Sequence, residues 1–308
     1  KSFKIMAKTV KEVIKDIVYS HLKKKKFLAM GQCLTAVGFV GGTLPELYEK
    51  DGMVELSMAD VAGGGIATGA ALAGKRPIYV IRYQGFNWYN APMILNYACK
   101  SKELWNVPCP IFIRSIAMEG KIGPVAGSSH HSLYYRMPGI KIASPMTPLE
   151  YKKIYNSFMK EDDVYYVSEH RGSFNNKIEL PDIIKTKPIL TLFAISITRF
   201  EAIKAVEILK KKNININLCN ILWLKPLKIN EKGIKSLKNS KYGGLVLDDD
   251  YEDGISKNIA NDLSLRTNKK VFTLGLKNKS AGFSVKGDNL PPNCKEIVNK
   301  ILKIIKNY

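Results

Sequence analysis

The sequence predicts an α/β protein with two parallel-sheet domains, and three observations support this. The chain has 308 residues, enough for two domains that each bury a core. Short apolar segments alternate with helical patterns of about 10 to 15 residues, which is typical of a parallel sheet covered on both faces. A polar stretch over 171–188 interrupts the alternation, which then begins again. We therefore expect domains over 1–175 and 189–308.

Hydrophobic periodicity predicts the elements of the first domain. Residues 9–23 carry apolar side chains at helical spacing and predict an amphipathic helix. Residues 62–73 are almost all small, which suits a helix packed closely against another chain or backbone. The glycines at 38, 41 and 42 predict a loop. Short apolar runs predict strands at 27–30, 54–58, 77–83, 109–116, 140–143 and 164–167, and the remaining patterns predict helices at 91–104 and 149–159.

The second domain repeats this order on a smaller scale. Its apolar runs predict strands at 189–197, 214–218, 245–247 and 270–274, and its amphipathic patterns predict helices at 200–211, 252–263 and 295–305. No tandem repeat of 20 to 50 residues is visible, so a solenoid is not expected.

Composition excludes several classes of protein. Lys and Arg number 48 against 27 Asp and Glu, which gives a net charge of +21. The lysines are spread over every segment without a nucleic-acid-binding motif, so we interpret the excess as compositional rather than as a nucleic-acid footprint. No apolar run of about 18 residues predicts a membrane span.

Five widely spaced cysteines with no CxxC pair argue against a disulfide framework and against a structural zinc site. The basic segment from Lys1 to Thr9 lacks the apolar stretch of a secretory signal. We therefore expect a cytoplasmic protein that makes no membrane contact, and no metal site is predicted in this chain.

Two glycine-rich segments suggest nucleotide binding but do not fit it well. Residues 69–75 have P-loop spacing, yet Arg76 follows where Ser or Thr is needed, and the segment ends a helix instead of opening one. Gly63, Gly64 and Gly65 lack the spacing of a dinucleotide fingerprint. Close backbone packing near a helix start is the favoured interpretation of these three glycines.

Three groups of side chains are candidates for a functional site. Tyr83, Phe86 and Tyr89 lie among polar residues at the end of a strand, which suits either core packing or a platform for a flat ring. Asp60 precedes the small-residue helix and is either a helix cap or an acid that faces a cofactor. The pair at positions 130 and 131 is either an exposed loop pair or a substrate contact.

Asp60, His130 and His131 are thus the catalytic candidates. Adjacent histidines do not easily ligate one metal together, and no third ligand is obvious in the sequence. Spacing alone leaves both readings of Asp60 open.

Taken in order, these segments resemble the pyrimidine-binding domain of thiamine diphosphate enzymes. The run from Asp60 to Gly74, then Pro77 and the aromatic cluster, carries most of the resemblance. Further matching strings in the same order are Trp105–Pro108, Pro138–Lys141, Ser144–Pro148, Ser168–His170 and, in the second domain, Leu224–Leu227. The chain is most similar to the beta subunit of 2-oxo acid dehydrogenases, as in pyruvate dehydrogenase, and to the C-terminal half of transketolases. This implies a pyrimidine-binding domain followed by a transketolase C-terminal-like domain.

The resemblance also implies roles for individual residues. Thiamine diphosphate lies between two chains in such enzymes, and a carboxylate that contacts its aminopyrimidine ring promotes loss of the thiazolium proton. Asp60 stands where the family has Glu, and Phe86 stands where an aromatic ring stacks on the pyrimidine. Tyr83 and Tyr89 match flanking aromatic positions. The loop that brings a catalytic histidine to the substrate contains both His130 and His131.

Two departures from the family pattern matter. Aspartate is one methylene shorter than glutamate, which could slow activation of the cofactor. The sequence also lacks the Gly-Asp-Gly…Asn motif for the diphosphate and Mg²⁺, and Gly287-Asp288-Asn289 stands in the wrong context for it. We therefore expect a partner subunit to carry the diphosphate-binding domain and Mg²⁺, in a heterotetramer joined by a homodimer contact of this chain.

The implied activity is that of a split enzyme that is active only with its partner. It would activate a 2-oxo acid or ketose and transfer the acyl or ketol unit, and the 2-oxo acid dehydrogenase type is favoured. Two alternatives stay open: a transketolase-like subunit acting on a sugar, and a non-catalytic assembly subunit. The small-molecule substrate is not specified by the sequence, since the partner contributes much of the pocket.

Overall fold

The computed structural model describes residues 4–24, 26–118, 127–280 and 288–307. Of these residues, those up to Glu179 form one compact unit and those from Leu180 onward form a second. Both units are α/β with parallel sheets, as the sequence predicts. The division falls inside the segment 171–188 that interrupts the sequence pattern.

In the first unit the strands lie in the order β2-β1-β3-β4-β6-β5, and every neighbouring pair is parallel. The strands are β1 (Phe27–Gln32), β2 (Met53–Leu56), β3 (Arg76–Ile81), β4 (Phe112–Ala117), β5 (Ile140–Ala143) and β6 (Val164–His170). The helices are α1 (Val10–Leu22), the turn α2 (Ala36–Gly42), α3 (Asp60–Leu72), α4 (Asn87–Met93), α5 (Cys99–Trp105), α6 (His131–Tyr135) and α7 (Pro148–Phe158).

Helices cover both faces of this sheet. Phe112 of β4 packs its ring against Tyr151 and Phe158 of α7, at centroid distances of 6.2 and 5.2 Å. Ile78 of β3 is in register with Phe112 and therefore points to the same face of the sheet, toward α7. Successive residues of a strand point to opposite faces, so the next residue, Tyr79, faces away from α7. Tyr79 packs instead against α3 and α4.

The turn α2 has an uncommon backbone. Residues 37–41 all have φ between 52° and 64°, which makes this turn left-handed. Glycine adopts such angles readily, but Val37, Phe39 and Val40 do so at a cost of roughly 1–2 kcal/mol each. The glycines of this segment correctly indicate an irregular connection, but not its handedness.

The helix predicted over 91–104 is divided in the structure. Pro92 lies inside α4, and its missing N–H prevents a continuous α-helical hydrogen-bond ladder. A π-helical turn at Ile94–Ala98 joins α4 to α5, and Asn106 ends α5 in a left-handed conformation. In the loop that contains His130 and His131, residues 119–126 lie outside the described residues, and α6 begins at His131.

The second unit has four parallel strands in the order β11-β10-β7-β8. These strands are β7 (Leu190–Ile195), β8 (Ile216–Ile221), β10 (Gly244–Tyr251) and β11 (Val271–Leu276), and the short strand β9 (Trp223–Lys225) lies outside this four-stranded sheet. The helices are α8 (Thr198–Lys211), α9 (Glu231–Lys238), α10 (Ile255–Thr267) and α11 (Cys294–Lys306). Leu190 and Leu192 point to the face that packs against α8 and α11, whereas Thr191 points to the other face and bonds Ser236 of α9. No helix among the described residues has the length and apolar character needed to cross a membrane.

The helix α1 is fixed at both ends. Thr9 and Glu12 form a capping box at its start. Near its end, the buried His21 ring has Nε2 2.7 Å from the Arg76 carbonyl and Nδ1 2.8 Å from the Tyr155 hydroxyl. Because a carbonyl only accepts, Nε2 carries the hydrogen and Nδ1 accepts from Tyr155. His21 therefore joins α1, β3 and α7 in its neutral form.

This contact predicts a pH dependence of stability. Burial lowers the pKa of His21 to about 4 from the ordinary value of 6.5. The unfolded chain then binds the proton more readily, so we expect the free energy of unfolding to decrease as pH falls from 6.5 toward 4. At 1.36 kcal/mol per pKa unit, this one residue contributes up to roughly 3 kcal/mol. Urea unfolding at a series of pH values measures it. His21→Gln should show a shallower pH slope, and equal slopes for the two proteins would contradict the assignment.

Candidate active site

The start of α3 and the adjoining helix α4 hold the candidate acid. Asp60 is half-buried in the first turn of α3, and Ala59 occupies the N-cap position without a side-chain cap bond. The Asp60 Oδ1 atom accepts a hydrogen bond from Asn90 Nδ2 at 3.2 Å. The cap reading of Asp60 is therefore not what the structure shows, because its carboxylate contacts a side chain of the next helix.

Asn90 connects this acid to two other parts of the site. Its Nδ2 also donates to the Phe86 carbonyl at 3.0 Å, and its Oδ1 accepts from the Tyr79 hydroxyl. Asn90 is fully buried. Burial, with the nearby Asp60 charge, raises the pKa of Tyr79 far above its ordinary value, so this hydroxyl stays protonated and donates. The Asn90 amide thus joins the Asp60 carboxylate, the Phe86 backbone and Tyr79 of β3.

The glycines of α3 explain how α4 approaches so closely. A Cβ atom at Gly64 would lie 2.6 Å from the Asn90 carbonyl oxygen, and one at Gly63 would collide with the Tyr79 hydroxyl. Only glycine fits at these two positions without a shift of the Asn90 backbone or of the Tyr79 side chain. The favoured interpretation of this glycine run, close backbone packing, agrees with this geometry.

The three aromatic side chains of the predicted platform are not part of the hydrophobic core. Tyr83 and Phe86 are half-buried with ring centroids 5.9 Å apart, and Tyr89 is 52 % exposed. In the part of the chain that the structure describes, no hydrogen bond or ring contact joins Tyr89 to the other two. Tyr83 and Phe86 therefore form a pair of neighbouring, partly exposed rings.

The two neighbouring histidines lie in different surroundings. His130 is half-buried, with Nε2 3.2 Å from the Ser128 hydroxyl and its ring edge-on to Trp88 at 6.4 Å. His131 is fully buried, with Nδ1 3.1 Å from the Ser168 hydroxyl. Of the two, His130 is the more exposed, whereas His131 is part of the internal packing.

A buried amide links these histidines to the sheet. Gln84 donates to the Ser168 hydroxyl at 2.8 Å and accepts from the His130 backbone N–H at 2.6 Å. Asn87 bonds the Tyr166 hydroxyl at 2.7 Å and the Ser115 hydroxyl at 2.9 Å. In the sequence, Gln84, Asn87 and Asn90 are visible only as the polar residues among which the aromatic side chains lie. That polarity was the signal for this hydrogen-bond network.

A buried ion pair joins β4 and β6, one residue along each strand from Ser115 and Ser168. Arg114 of β4 makes two hydrogen bonds to the Glu169 carboxylate, at 2.7 and 2.9 Å, and one to the Thr43 hydroxyl at 3.0 Å. Tyr151 of α7 also donates to Glu169. Burial alone would lower the pKa of Arg114, but the Glu169 charge reverses this and raises it. Sequence reasoning missed the pair, because its members are 55 residues apart and carry no motif.

Comparison with known proteins identifies the family of this chain. Residues 18–177 match the family described as transketolase, pyrimidine binding domain. The beta subunit of an acetoin:2,6-dichlorophenolindophenol oxidoreductase from Cupriavidus necator is 24 % identical over 257 residues, which cover 77 % of this chain and 73 % of the relative. The pyruvate dehydrogenase E1 component subunit beta of Rickettsia bellii is 24 % identical over 259 residues and 78 % of each chain.

The fold is likewise similar to a solved structure described as a split gene transketolase, an inactive beta4 tetramer. The TM-score is 0.73 at 13 % identity, and the match covers 97 % of this chain and 98 % of the other. The matched family covers more than half of the chain and includes all of the candidate residues. This chain therefore belongs to the transketolase pyrimidine-binding domain family, whose matching members include beta subunits of thiamine diphosphate-dependent enzymes.

Proposed function

We propose that this chain is the pyrimidine-binding subunit of a split thiamine diphosphate-dependent enzyme of the 2-oxo acid dehydrogenase type. The observation that carries the proposal is the half-buried Asp60 carboxylate, which is held by Asn90, the same side chain that binds the backbone carbonyl of the half-buried Phe86. These residues fit an aminopyrimidine, which needs a hydrogen-bond acceptor at its edge and an apolar surface at its face. Bound thiamine diphosphate would supply the electron sink for chemistry at a carbonyl carbon.

Asp60 would act as a hydrogen-bond acceptor and proton-holding group. Only its Oδ1 atom is bonded, to Asn90, and Oδ2 accepts nothing from the described residues. That free oxygen can accept an N–H group of the ring and share its proton. Phe86 and Tyr83 would exclude water from the ring face and orient it.

The histidines would have separate roles. His130 is accessible enough to hold or deliver a proton at its ring, so we propose it as the substrate-facing histidine. His131, buried against Ser168, would position the turn that carries His130. Both are linked through Gln84, which contacts Ser168 and the His130 backbone.

We further propose that a partner subunit holds the diphosphate and Mg²⁺. The sequence lacks the Gly-Asp-Gly…Asn motif for these groups, and relatives of this chain are named as beta subunits. Large apolar side chains, each at least 44 % exposed, are concentrated on and between α3, α4 and α5: Val61, Ile66, Leu72, Trp88, Tyr89, Tyr97, Leu104 and Trp105. Scattered exposed apolar residues are ordinary, but such a concentration is typical of an interface. A second copy of this chain, packed against α3, would bury part of this exposed apolar surface.

This assembly can be tested at Gly69 of α3. A Cβ atom there meets nothing within 4 Å, so Gly69→Leu should not disturb the isolated chain. A leucine should prevent close approach of a neighbouring helix, and we expect at least a tenfold weaker self-association by sedimentation equilibrium.

Lys15→Leu supplies the matched control, because it adds the same side chain at an exposed position on α1. It should leave self-association unchanged. If Gly69→Leu associates as wild type does, α3 is not the contact helix. A wild-type chain that stays monomeric in the presence of every diphosphate-binding partner would contradict the split-enzyme proposal.

The role of Asp60 can be tested by hydrogen–deuterium exchange of the thiazolium proton in the assembled complex. Asp60→Asn keeps the size and the hydrogen bonding but removes the carboxylate. We expect exchange to slow by about 10²–10⁴-fold, the usual cost of losing one acid–base group. Cofactor affinity should change much less, since the partner would hold the diphosphate.

Asp60→Glu is the conservative comparison, and it should retain faster exchange than Asp60→Asn. Equal exchange in wild type and Asp60→Asn would show that Asp60 does not activate the cofactor. Wild-type exchange no faster than that of free thiamine diphosphate would favour a non-catalytic assembly subunit.

A further inference from the structure

The amino ends of the strands in the second unit carry a concentration of positive charge. In the sheet β11-β10-β7-β8, three adjacent strands are each preceded by an exposed lysine. Lys241 comes shortly before β10, Lys187 before β7 and Lys212 before β8. Neighbouring strands lie about 4.8 Å apart, so lysines that are far apart in the sequence become neighbours here.

Backbone hydrogen bonds fix these connections side by side. The Lys241 N–H donates to the Pro188 carbonyl at 3.1 Å, and the Ile189 N–H donates to the Asn215 carbonyl at 2.7 Å. The Asn215 side chain also donates to the Lys187 carbonyl at 3.3 Å. The three lysine-bearing connections therefore meet at one edge of the sheet.

Three helices end at the same edge and add further lysines. Helices of a parallel α/β unit run opposite to its strands, and α8 and α9 end with the exposed Lys211 and Lys238. The helix α11 begins beside the start of α8, because the Cys294 N–H donates to the Glu201 carboxylate at 2.9 Å, and it ends with the exposed Lys306. We use the name lysine edge for Lys187, Lys211, Lys212, Lys238, Lys241 and Lys306.

Most acidic residues of this unit lie at the opposite edge of the sheet. Glu201, Glu231 and Glu296 occupy the first turns of α8, α9 and α11. The aspartates at 248–250 are buried near the carboxyl end of β10. Positive and negative charge are thus separated along the strand direction.

The lysine edge has no acidic partner within the described ranges of the chain. No ion pair there involves any of its six lysines. Glu207 of α8 and Asp262 of α10 lie in the middle parts of their helices, and Asp262 is already paired with Arg266 at 3.2 Å. The counter-charge for this surface therefore has to come from outside these residues.

Helix dipoles explain only part of this arrangement. A cation in the last turn of a helix is stabilised by the free carbonyl groups there, which accounts for Lys211, Lys238 and Lys306. Lys187 and Lys241 lie in connections outside the helices, so they lack this interaction. Like charges repel each other over a Debye length of about 8 Å at physiological salt, and an anionic partner would relieve this repulsion.

The chemistry of the edge suits carboxylates better than nucleic acid. All six charges are lysines, whereas phosphate recognition typically uses the paired donors of arginine. The two arginines of this unit are Arg199, which is buried, and Arg266, which is paired with a carboxylate. The large apolar side chains exposed in the described part of this unit are Ile208, Leu265 and Leu290, so no exposed aromatic ring is present there to stack on bases.

An anionic membrane also fits this surface poorly. Proteins that lie on a membrane typically combine lysines with a continuous apolar face. Ile208 is on α8, whereas Leu265 is on α10, which packs against α9 on the other side of the sheet. These two side chains therefore do not form one apolar face.

We propose that the lysine edge binds an acid-rich segment of a partner protein, with Asp and Glu carboxylates against the lysine ammonium groups. The three strands span roughly 10 Å, which an extended segment of about three to four residues crosses. The surface belongs to the second unit alone and includes none of the residues proposed to contact thiamine diphosphate. It therefore stands or fails separately from the proposed function.

Fluorescence anisotropy of a labelled deca-glutamate peptide, added to the full chain, tests the surface. We expect binding that weakens as salt is added, since exposed charges are screened, and no binding of deca-glutamine. A single-stranded DNA of equal length and vesicles of phosphatidylcholine with phosphatidylserine are the competing probes. Absence of deca-glutamate binding would overturn the proposal, and tighter binding of the DNA or the vesicles would replace it with a different partner.

Substitutions locate the binding. The triple variant Lys187→Gln, Lys212→Gln and Lys241→Gln removes the charges that precede the three strands. We expect about tenfold weaker binding of deca-glutamate, the combined effect of losing three exposed ion pairs. All three positions are exposed, so urea unfolding should stay close to that of wild type.

A second triple variant, Lys232→Gln, Lys279→Gln and Lys295→Gln, is the matched control. It removes the same net charge at exposed positions of this unit away from the lysine edge. It should weaken binding much less. An equal loss in the two variants would show that the peptide responds only to net charge, and this would overturn the proposal.

Carbodiimide cross-linking locates the contact without any substitution. The reagent activates a glutamate carboxylate of the peptide, and a lysine amine in contact displaces it to form an amide. Mass spectrometry should find the cross-links concentrated on the lysine edge. Cross-links that are equally frequent on Lys232, Lys279 and Lys295 would contradict the proposal.

Discussion

The close approach of α4 to the glycines of α3 is the constraint on which the candidate site depends. With Gly64 packed under its carbonyl, Asn90 becomes fully buried and must satisfy its amide inside the protein. It does so with the Tyr79 hydroxyl, the Phe86 carbonyl and the Asp60 carboxylate. A single side chain therefore sets the position of the proposed acid relative to the proposed ring platform.

A second buried network supports the loops that complete the site. Gln84 and Ser168 join the ends of β3 and β6 to the turn that carries both histidines. Arg114 and Glu169 form a buried ion pair in the same sheet. Removing one partner of such a pair typically lowers the free energy of unfolding by about 3–5 kcal/mol. Parallel strands end at the same edge of a sheet, so these polar groups meet although they are far apart in sequence.

Much of this arrangement can be predicted from local patterns. The periodicity of residues 9–23 and the small residues of 62–73 predict helices that the structure contains, and the strand alternation predicts the parallel sheets. Local patterns do not show which histidine is buried, because that depends on Ser168, 37 residues away. Nor do they predict the handedness of α2, where Val37 adopts angles that its own side chain disfavours.

The identity of the acid is the central claim, and a crystal structure of the assembled complex with thiamine diphosphate tests it most directly. The account predicts the Asp60 carboxylate within hydrogen-bond distance, about 2.6–3.2 Å, of an aminopyrimidine nitrogen, with Asn90 still bonded to its other oxygen and Phe86 against the ring face. A pyrimidine ring bound away from Asp60, or an Asp60 that contacts Asn90 alone, would contradict it.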